Sequence, residues 1–173
     1  MIISSFSNSR IKEIGGLRQR KERSQTGLAF IEGIRIVADA IRHPGTVQTL
    51  VVAPDLLKSS FAWELVQAQK MGGTPCLEVT AGVFQSLSNK DGPQGLGAVI
   101  RQQWEALEEV RLSDDFCWVA LDAVQDPGNL GTILRTCDAV GCTGVVLLGQ
   151  STDPYDPEAL RASMGAIFSQ RLV

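Results

Sequence analysis

Short apolar runs alternate with amphipathic stretches along the first hundred residues. Apolar side chains at helical spacing predict helices over 11–17, 34–41 and 61–71, and a shorter one over 83–87. The first of these helices is expected to be interrupted near Gly15 and Gly16. Continuous apolar runs predict strands at 28–31, 50–53, 76–79 and 96–100. Because strands and helices follow one another in turn, the pattern predicts an α/β fold with a mainly parallel sheet.

A polar and acidic stretch over residues 101–115 interrupts this alternation. It contains few turn signals, and a new strand pattern begins after it at Cys117 and continues to Leu121. We therefore expect residues 1–101 to form one domain, residues 102–115 a linker, and residues 116–173 part of a second α/β domain.

The composition and the first residues of the chain indicate a globular protein rather than a membrane or secreted one. With 44% hydrophobic and 20% charged residues the chain is typical of globular proteins. No apolar run approaches the roughly 18 residues of a membrane-spanning helix, and the start of the chain does not resemble a secretory signal. We therefore expect a cytoplasmic protein. The spacing of the cysteines fits neither a zinc site nor a disulfide framework, which predicts reduced thiols and no bound metal. They are Cys76, Cys117, Cys137 and Cys142.

Positive charge is concentrated near the start of the chain, although the formal net charge is −3. Basic side chains dominate residues 10–23, where only Glu13 and Glu22 oppose them. The basic residues are Arg10, Lys12, Arg18, Arg20, Lys21 and Arg23. A cluster of this kind attracts polyanions such as RNA. The same pattern is also common on solvated helices that bind nothing, so charge alone leaves both interpretations open.

The segment from Asp126 to Gly141 has the end signals of a well-defined helix. Asp126 is a capping residue type, Pro127 suits the first helical position, and Gly141 suits the stop. Asn129 then lies in the first turn, beside unpaired backbone amides that favour an anion or a polar ligand group.

Arg135 in the same segment lies off the apolar face of the predicted helix. Gly131 and Thr132, one turn earlier, are small and should leave space for its side chain. We expect the guanidinium to reach the mouth of a crevice between strand and helix.

Ordinary structural explanations exist for both residues. Asn129 is a common turn residue, and Arg135 could pair with Asp138, an interaction worth about 0.2–0.5 kcal/mol. The segment lacks the first glycine of the Rossmann fingerprint and has no phosphate-binding loop of the Gly-Lys-Ser type. Spacing alone therefore does not decide between a ligand site and a plain helix start.

Two segments resemble the signature motifs of the SpoU (TrmH-like) branch of SPOUT RNA methyltransferases. They are DPGNLGTILRTCDAVG at 126–141, following LDAVQ, and DPEALRASMGAIF at 156–168. Residues 1–101, with AFIEG at 29–33 and QGLGAV at 94–99, are similar to the substrate-binding domain of the same proteins. The resemblance implies a small ribosomal-protein-like α/β/α domain followed by part of a SPOUT α/β domain of the trefoil-knot type.

The same resemblance implies a reaction. Family members transfer a methyl group from S-adenosyl-L-methionine to a ribose 2′-hydroxyl of structured RNA, commonly ribosomal RNA and otherwise tRNA, and they act as homodimers. Asn129 and Arg135 match positions that border the methyl-transfer site. Arg161 and Ser163 match positions that contact RNA phosphate or orient the ribose, and Gly165 is expected to close their helix. We expect Arg135 to stabilise alkoxide charge, because a guanidinium scarcely deprotonates.

One family feature is not found up to Val173. The third motif, an acidic Gly-rich loop with a later Ser-Leu-Asn segment, completes the knot and most of the methyl-donor pocket. The resemblance therefore implies that residues 1–173 alone bind the donor poorly, and it leaves the donor-binding residues unassigned. Two alternatives stay open: a non-enzymatic module that binds structured RNA, and another nucleotide-using α/β enzyme with its ligand at the helix start of Asn129.

Overall fold

The chain forms two compact units in a computed structural model that describes residues 2–89, 91–111 and 117–173. The units are Met1–Arg101 and Gln102–Val173. Within the described ranges, none of the helices combines the length and the apolar character that crossing a bilayer requires.

The first unit is a four-stranded sheet with helices packed on it. In chain order its elements are α1 (Ser9–Gly16), α2 (Arg20–Thr26), β1 (Leu28–Glu32), α3 (Ile34–Ile41), β2 (Val47–Val52), α4 (Ser60–Met71), β3 (Cys76–Glu78), α5 (Ala81–Leu87) and β4 (Leu96–Arg101). The predicted interruption of the first helix is confirmed, since α1 ends at Gly16 and α2 begins at Arg20. The apolar faces of α1 and α5 share one core cluster with β2, β3 and β4, which includes Ile14, Phe84 and Val99.

The direction of the strands corrects the prediction of a mainly parallel sheet for this unit. The strand order is β1-β4-β2-β3, and only β2 and β3 run parallel. β4 lies between β1 and β2 and is antiparallel to both. Its residues Leu96 to Ile100 are all buried, as expected of a central strand covered on both faces. An uninterrupted apolar run predicts such burial, but it does not indicate whether the strand runs parallel or antiparallel to its neighbours.

The second unit is an α/β unit, as predicted, and its three-stranded sheet is parallel throughout. Its elements are β5 (Trp118–Asp122), α6 (Pro127–Ala139), β6 (Gly144–Leu148), α7 (Pro157–Ser163) and β7 (Arg171–Leu172), with 3₁₀ turns at Leu107–Glu109 and Ala166–Phe168. The strand order is β5-β6-β7. A crossover through a helix is the usual way to connect parallel neighbours, and α6 connects β5 to β6.

The described part of the predicted linker is held against the second unit. Glu105 donates its backbone N–H to Leu172 O at 2.8 Å, and its carboxylate pairs with the guanidinium of Arg171. The hydroxyl of Tyr155 accepts from Gln103 N at 2.7 Å and donates to Gln103 O at 3.1 Å. Burial raises the pKa of Tyr155 to about 12. Residues 112–115 of the predicted linker, and residue 116 of the predicted second domain, lie outside the described residues.

Candidate functional site

The helix α6 begins and ends where the sequence predicted. The carboxylate of Asp126 accepts a hydrogen bond from Asn129 N at 2.6 Å, and Pro127 occupies the first turn. The helix stops at Val140, followed by Gly141 in the left-handed region with φ 74°. Asn129 therefore lies in the first turn, at the positive end of the helix dipole.

One face of α6 packs inside the unit, and the rest faces solvent. Leu130, Leu134 and Cys137 are buried. Val140 is 70% exposed, because it caps the helix instead of continuing it. Counting by three along the helix places Asn129, Thr132 and Arg135 in one row, and all three are exposed.

The side chains of Asn129 and Arg135 are available to a ligand. Neither has a side-chain hydrogen bond or ion pair with another residue in the described part of the chain. The alternative pairing of Arg135 with Asp138 does not occur; the Asp138 carboxylate instead accepts a hydrogen bond from Ser169 Oγ at 2.6 Å. Because their donors and acceptors are not used within the protein, both side chains can form hydrogen bonds to a polar ligand.

At Gly131, α7 lies in close contact with α6. A Cβ added to Gly131 would lie 2.4 Å from Ala159 O and 2.6 Å from Ala162 Cβ. The small size of Gly131 was predicted to leave space for the Arg135 side chain. The structure corrects this prediction, because Gly131 is buried and its small size allows the two helices to touch.

The second motif forms α7, and its two predicted RNA contacts differ in exposure. Asp156 caps the helix by accepting from Glu158 N at 2.9 Å, and Arg161 is exposed in the last turn. Ser163 is completely buried, and its hydroxyl donates to Leu160 O at 2.8 Å. A buried hydroxyl that is already bonded cannot contact RNA, so the structure corrects the assignment of Ser163.

The end of α7 differs from the prediction. We expected Gly165 to close the helix, but the cap is Met164, which adopts a left-handed conformation with φ 53°, and Gly165 follows with φ 95°. A left-handed conformation is uncommon for a residue with a side chain. Capping preferences favour glycine at such a position, and they gave no signal for Met164.

The loops after β5 and β6 meet at the carboxyl edge of the parallel sheet. Ala123 N donates to Leu148 O at 3.1 Å, and Ala123 is left-handed with φ 53°. The carboxylate of Asp122 lies so close to Gly149 that a Cβ there would be 2.7 Å from Oδ1. Asp122 is exposed at this edge, and the first turn of α6 follows it in the chain. In open parallel sheets this edge is where ligands bind, yet Asp122 and Ala123 were not singled out from the sequence.

The basic residues of the first unit do not form one uniform surface. Arg10, Lys12, Arg20 and Lys21 are exposed. Arg18 is also exposed, but its Nη2 donates to Ser86 O at 2.8 Å and to Ser88 O at 2.9 Å.

Arg23 has a structural position. Its side chain is 2% exposed, and Nη1 donates to Leu17 O at 3.0 Å and to Arg18 O at 2.8 Å. The carbonyl groups at the end of α1 thus bind the guanidinium that was predicted to contact RNA. This burial corrects the assignment of Arg23 to the RNA-binding set. The sequence did not reveal it, because a long basic side chain in a charged segment gives no local sign that it folds inward.

Two family models match the chain and together cover most of it. Residues 8–98 match the model described as MRM3-like substrate binding domain, and residues 117–173 match the SpoU rRNA Methylase family. The chain belongs to the SpoU rRNA methylase family. The predicted order, a substrate-binding domain followed by a SPOUT-type α/β domain, is confirmed by these matches.

Curated relatives of this family carry out 2′-O-methylation. The 23S rRNA (guanosine(2553)-2′-O)-methyltransferase RlmP of Bacillus subtilis is 31% identical over 166 residues, which is 96% of this chain and 62% of that protein. The 23S rRNA (uridine(2479)-2′-O)-methyltransferase of Streptomyces viridochromogenes is 30% identical over 154 residues, 88% of this chain and 53% of that protein. The chain therefore spans just over half of the length of these relatives.

Solved structures agree with the fold. The AdoMet-bound rRNA methyltransferase from Sinorhizobium meliloti matches with a TM-score of 0.88 and 34% identity, over 100% of this chain and 64% of that one. The SpoU methyltransferase AviRb from Streptomyces viridochromogenes, also in complex with AdoMet, matches with a TM-score of 0.85 and 29% identity, over 96% of this chain and 62% of that one.

Proposed function

We propose that the protein containing these residues transfers a methyl group from S-adenosyl-L-methionine to a ribose 2′-hydroxyl in ribosomal RNA. The supporting observation is the similarity, at 30–31% identity and across both units, to two enzymes named as 23S rRNA 2′-O-methyltransferases. Two of the matching solved structures contain AdoMet, which favours a methyltransferase over a module that only binds RNA.

The groups exposed at the carboxyl edge of the second sheet fit a nucleoside-type donor. Asp122 and Asn129 both present oxygen acceptors there, and these can accept hydrogen bonds from hydroxyl or amino groups of a nucleoside. The sulfonium of S-adenosyl-L-methionine supplies an electrophilic methyl group, so the reaction requires neither a metal nor a protein nucleophile. The task left to the protein is to align the ribose oxygen and to manage its proton.

We assign complementary roles to the two exposed residues of α6. The amide oxygen of Asn129 can accept a hydrogen bond from the 2′-hydroxyl and hold the ribose, while the positive end of α6 favours charge that develops on the oxygen. Arg135 stabilises that charge, or an adjacent phosphate, through charge-assisted hydrogen bonds. It does not act as a base, because a guanidinium stays protonated in proteins.

Substitution of Arg135 tests this proposal in the full-length protein. Removing one donor to a developing oxyanion typically lowers kcat by about 10²–10³-fold, and we expect Arg135→Lys to show most of that loss, because a lysine lacks the bidentate fork. The assay measures transfer of isotope-labelled methyl groups to 23S rRNA. Arg42→Lys is the matched control, since the Arg42 side chain is 77% exposed and pairs with Asp39 within its own turn.

Two results would contradict the proposal in different ways. Full activity of the folded Arg135→Lys variant would remove the electrostatic role of Arg135. Tight RNA binding without any methyl transfer by the unmodified full-length protein would instead favour the RNA-binding module.

We also propose an RNA-contacting role for the exposed basic side chains. In the second unit this is Arg161, and in the first unit the set consists of Arg10, Lys12, Arg18, Arg20 and Lys21. Their exposure supports the proposal, and phosphate contacts by such residues supply much of the affinity for nucleic acids.

A homodimer and a cytoplasmic location, both expected from the sequence, belong to the same proposal. Exposed apolar side chains on the second unit support self-association: Val140 is 70% exposed, and Leu148 and Met164 are each 45% exposed. Sedimentation velocity of the full-length protein tests the first, and a monomer at micromolar concentration would contradict it. Cell fractionation tests the second, and recovery in the membrane fraction would contradict it.

A further inference from the structure

Two cysteine thiols of the second unit lie next to each other. The Sγ atoms of Cys117 and Cys142 are 3.8 Å apart, although 25 positions separate the residues in the chain. Cys117 is exposed and Cys142 is half-buried, so reagents can reach the pair. Of the other cysteines, Cys137 is buried inside the unit and Cys76 belongs to the first unit.

The parallel pairing of β5 and β6 is the reason that the thiols meet. Trp118 lies opposite Gly144, and Thr143 N donates to Cys117 O at 2.8 Å. These contacts place both cysteines at the amino ends of neighbouring strands. The two Sγ atoms are 3.8 Å apart, and a disulfide joins its sulfurs at about 2.05 Å, so the sulfurs have to approach by about 1.8 Å. Both residues lie just before the paired strands, whose register begins at Trp118 and Gly144, so this approach does not require the strand pairing to break.

We propose that Cys117 and Cys142 form a dithiol site that a peroxide converts into an intramolecular disulfide. The thiolate of Cys117, the more exposed residue, attacks the peroxide oxygen and becomes a sulfenic acid, and hydroxide leaves. The Cys142 thiol then attacks that sulfur, and water leaves as the S–S bond forms. In total two thiols lose two electrons and two protons, and one hydrogen peroxide is reduced to two waters.

The site lies at the opposite end of the strands from the residues proposed for methyl transfer. Cys117 precedes β5, whereas Asp122 ends that strand and Asn129 follows it. The loop that the disulfide would close runs from 117 to 142 and contains all of β5 and α6. Cross-linking a loop of this length restricts the unfolded chain. The disulfide should therefore stabilise the helix that bears Asn129 and Arg135 without touching either residue.

Peptide mass spectrometry of the full-length protein treated with hydrogen peroxide tests the site. We expect a cross-linked peptide pair containing Cys117 and Cys142, lighter by two hydrogens than the separate peptides and released by a reducing agent. Cys117→Ser and Cys142→Ser should each abolish it, and the matched control Cys76→Ser should not. The oxidised protein should unfold about 5–10 °C higher than the reduced one, and it should keep its methyl-transfer activity.

Other oxidation products would overturn the proposal. A disulfide between Cys137 and Cys142, a cross-link between two chains through Cys117, or sulfinic acid at Cys117 without a cross-link would each show that the two sulfurs do not react as a pair. Unchanged thiols in folded protein under peroxide would do the same. Circular dichroism of the serine variants establishes that they are folded before the comparison is made.

Discussion

The contact between α6 and α7 at Gly131 leads to a quantitative prediction. A methyl group at this position would lie 2.4 Å from Ala159 O, 2.6 Å from Ala162 Cβ and 2.9 Å from Ser163 N. All three distances are shorter than those that Cβ atoms adopt in proteins, and two of the three atoms belong to backbone. The side chain therefore cannot be accommodated by a rotamer change, and Gly131→Ala has to push α7 away from α6.

The expected destabilisation is the difference between two opposing effects. Overpacking of a close contact costs about 1–3 kcal/mol, and more when backbone must move. Alanine inside a helix is favoured over glycine by about 1 kcal/mol. We expect Gly131→Ala to lower the free energy of unfolding by about 2 kcal/mol overall, because two backbone clashes place the overpacking cost at about 3 kcal/mol. At roughly 2–4 °C per kcal/mol, the melting temperature should fall by about 4–8 °C.

Thermal unfolding followed by tryptophan fluorescence measures this change. Trp104 and Trp118 report on the second unit, and a Trp63→Phe background removes the signal of the first. The matched control is Gly15→Ala in α1, where the nearest atom to an added Cβ is Leu87 Cδ2 at an ordinary 3.8 Å. This control, followed by circular dichroism, should be neutral or stabilising. If Gly131→Ala melts at or above the temperature of the unmodified protein, the close approach of the two helices is not as described.

Two further predictions rest on single features of the structure. Tyr155 is the only tyrosine, so absorbance near 295 nm reads its ionisation directly. With burial raising its pKa to about 12, the folded state holds its proton more tightly than the unfolded state, whose pKa is about 10. Its contribution to stability is therefore complete below pH 10 and is lost between about pH 10 and 12; a midpoint near 10 in folded protein would refute the burial. Replacing Arg10, Lys12, Arg20 and Lys21 by Gln should weaken RNA binding at low salt and reduce the slope of log K against log salt by about 3, because each phosphate that a basic side chain neutralises adds about 0.7–0.9 to that slope. Filter binding at several salt concentrations measures this, with Arg42→Gln as the control; an unchanged slope would exclude these side chains from the RNA interface.

The helix ends of the candidate site were predictable from local sequence. Capping by Asp126 and Asp156 involves amides two or three residues away, and the stop after Val140 depends on the next residue, Gly141. Signals of this range act within one turn of the chain, so they are present in the sequence whatever the remainder of the protein does. For the same reason helical periodicity placed Arg135 off the apolar face, and the helix start placed Asn129 in the first turn.

Contacts that reach beyond one helical turn were not predictable in this way. Burial of Arg23 depends on the carbonyl groups of Leu17 and Arg18, and burial of Ser163 depends on the packing of α7 against Gly131. In both places a polar side chain predicted to face RNA is satisfied inside the protein. A residue type and its neighbours cannot reveal which backbone carbonyls will be within reach after folding.

Residues that are close along the chain encode where most helices and strands begin and end, which faces are apolar, and which family the motifs resemble, so these properties were predictable. Three features required the folded structure: β4 runs antiparallel between β1 and β2, Gly131 is a helix contact, and Cys117 meets Cys142. These features depend on which segments become neighbours in space. Burial of apolar surface selects these neighbours, and it is non-directional. No local sequence pattern therefore specifies the strand direction or the register.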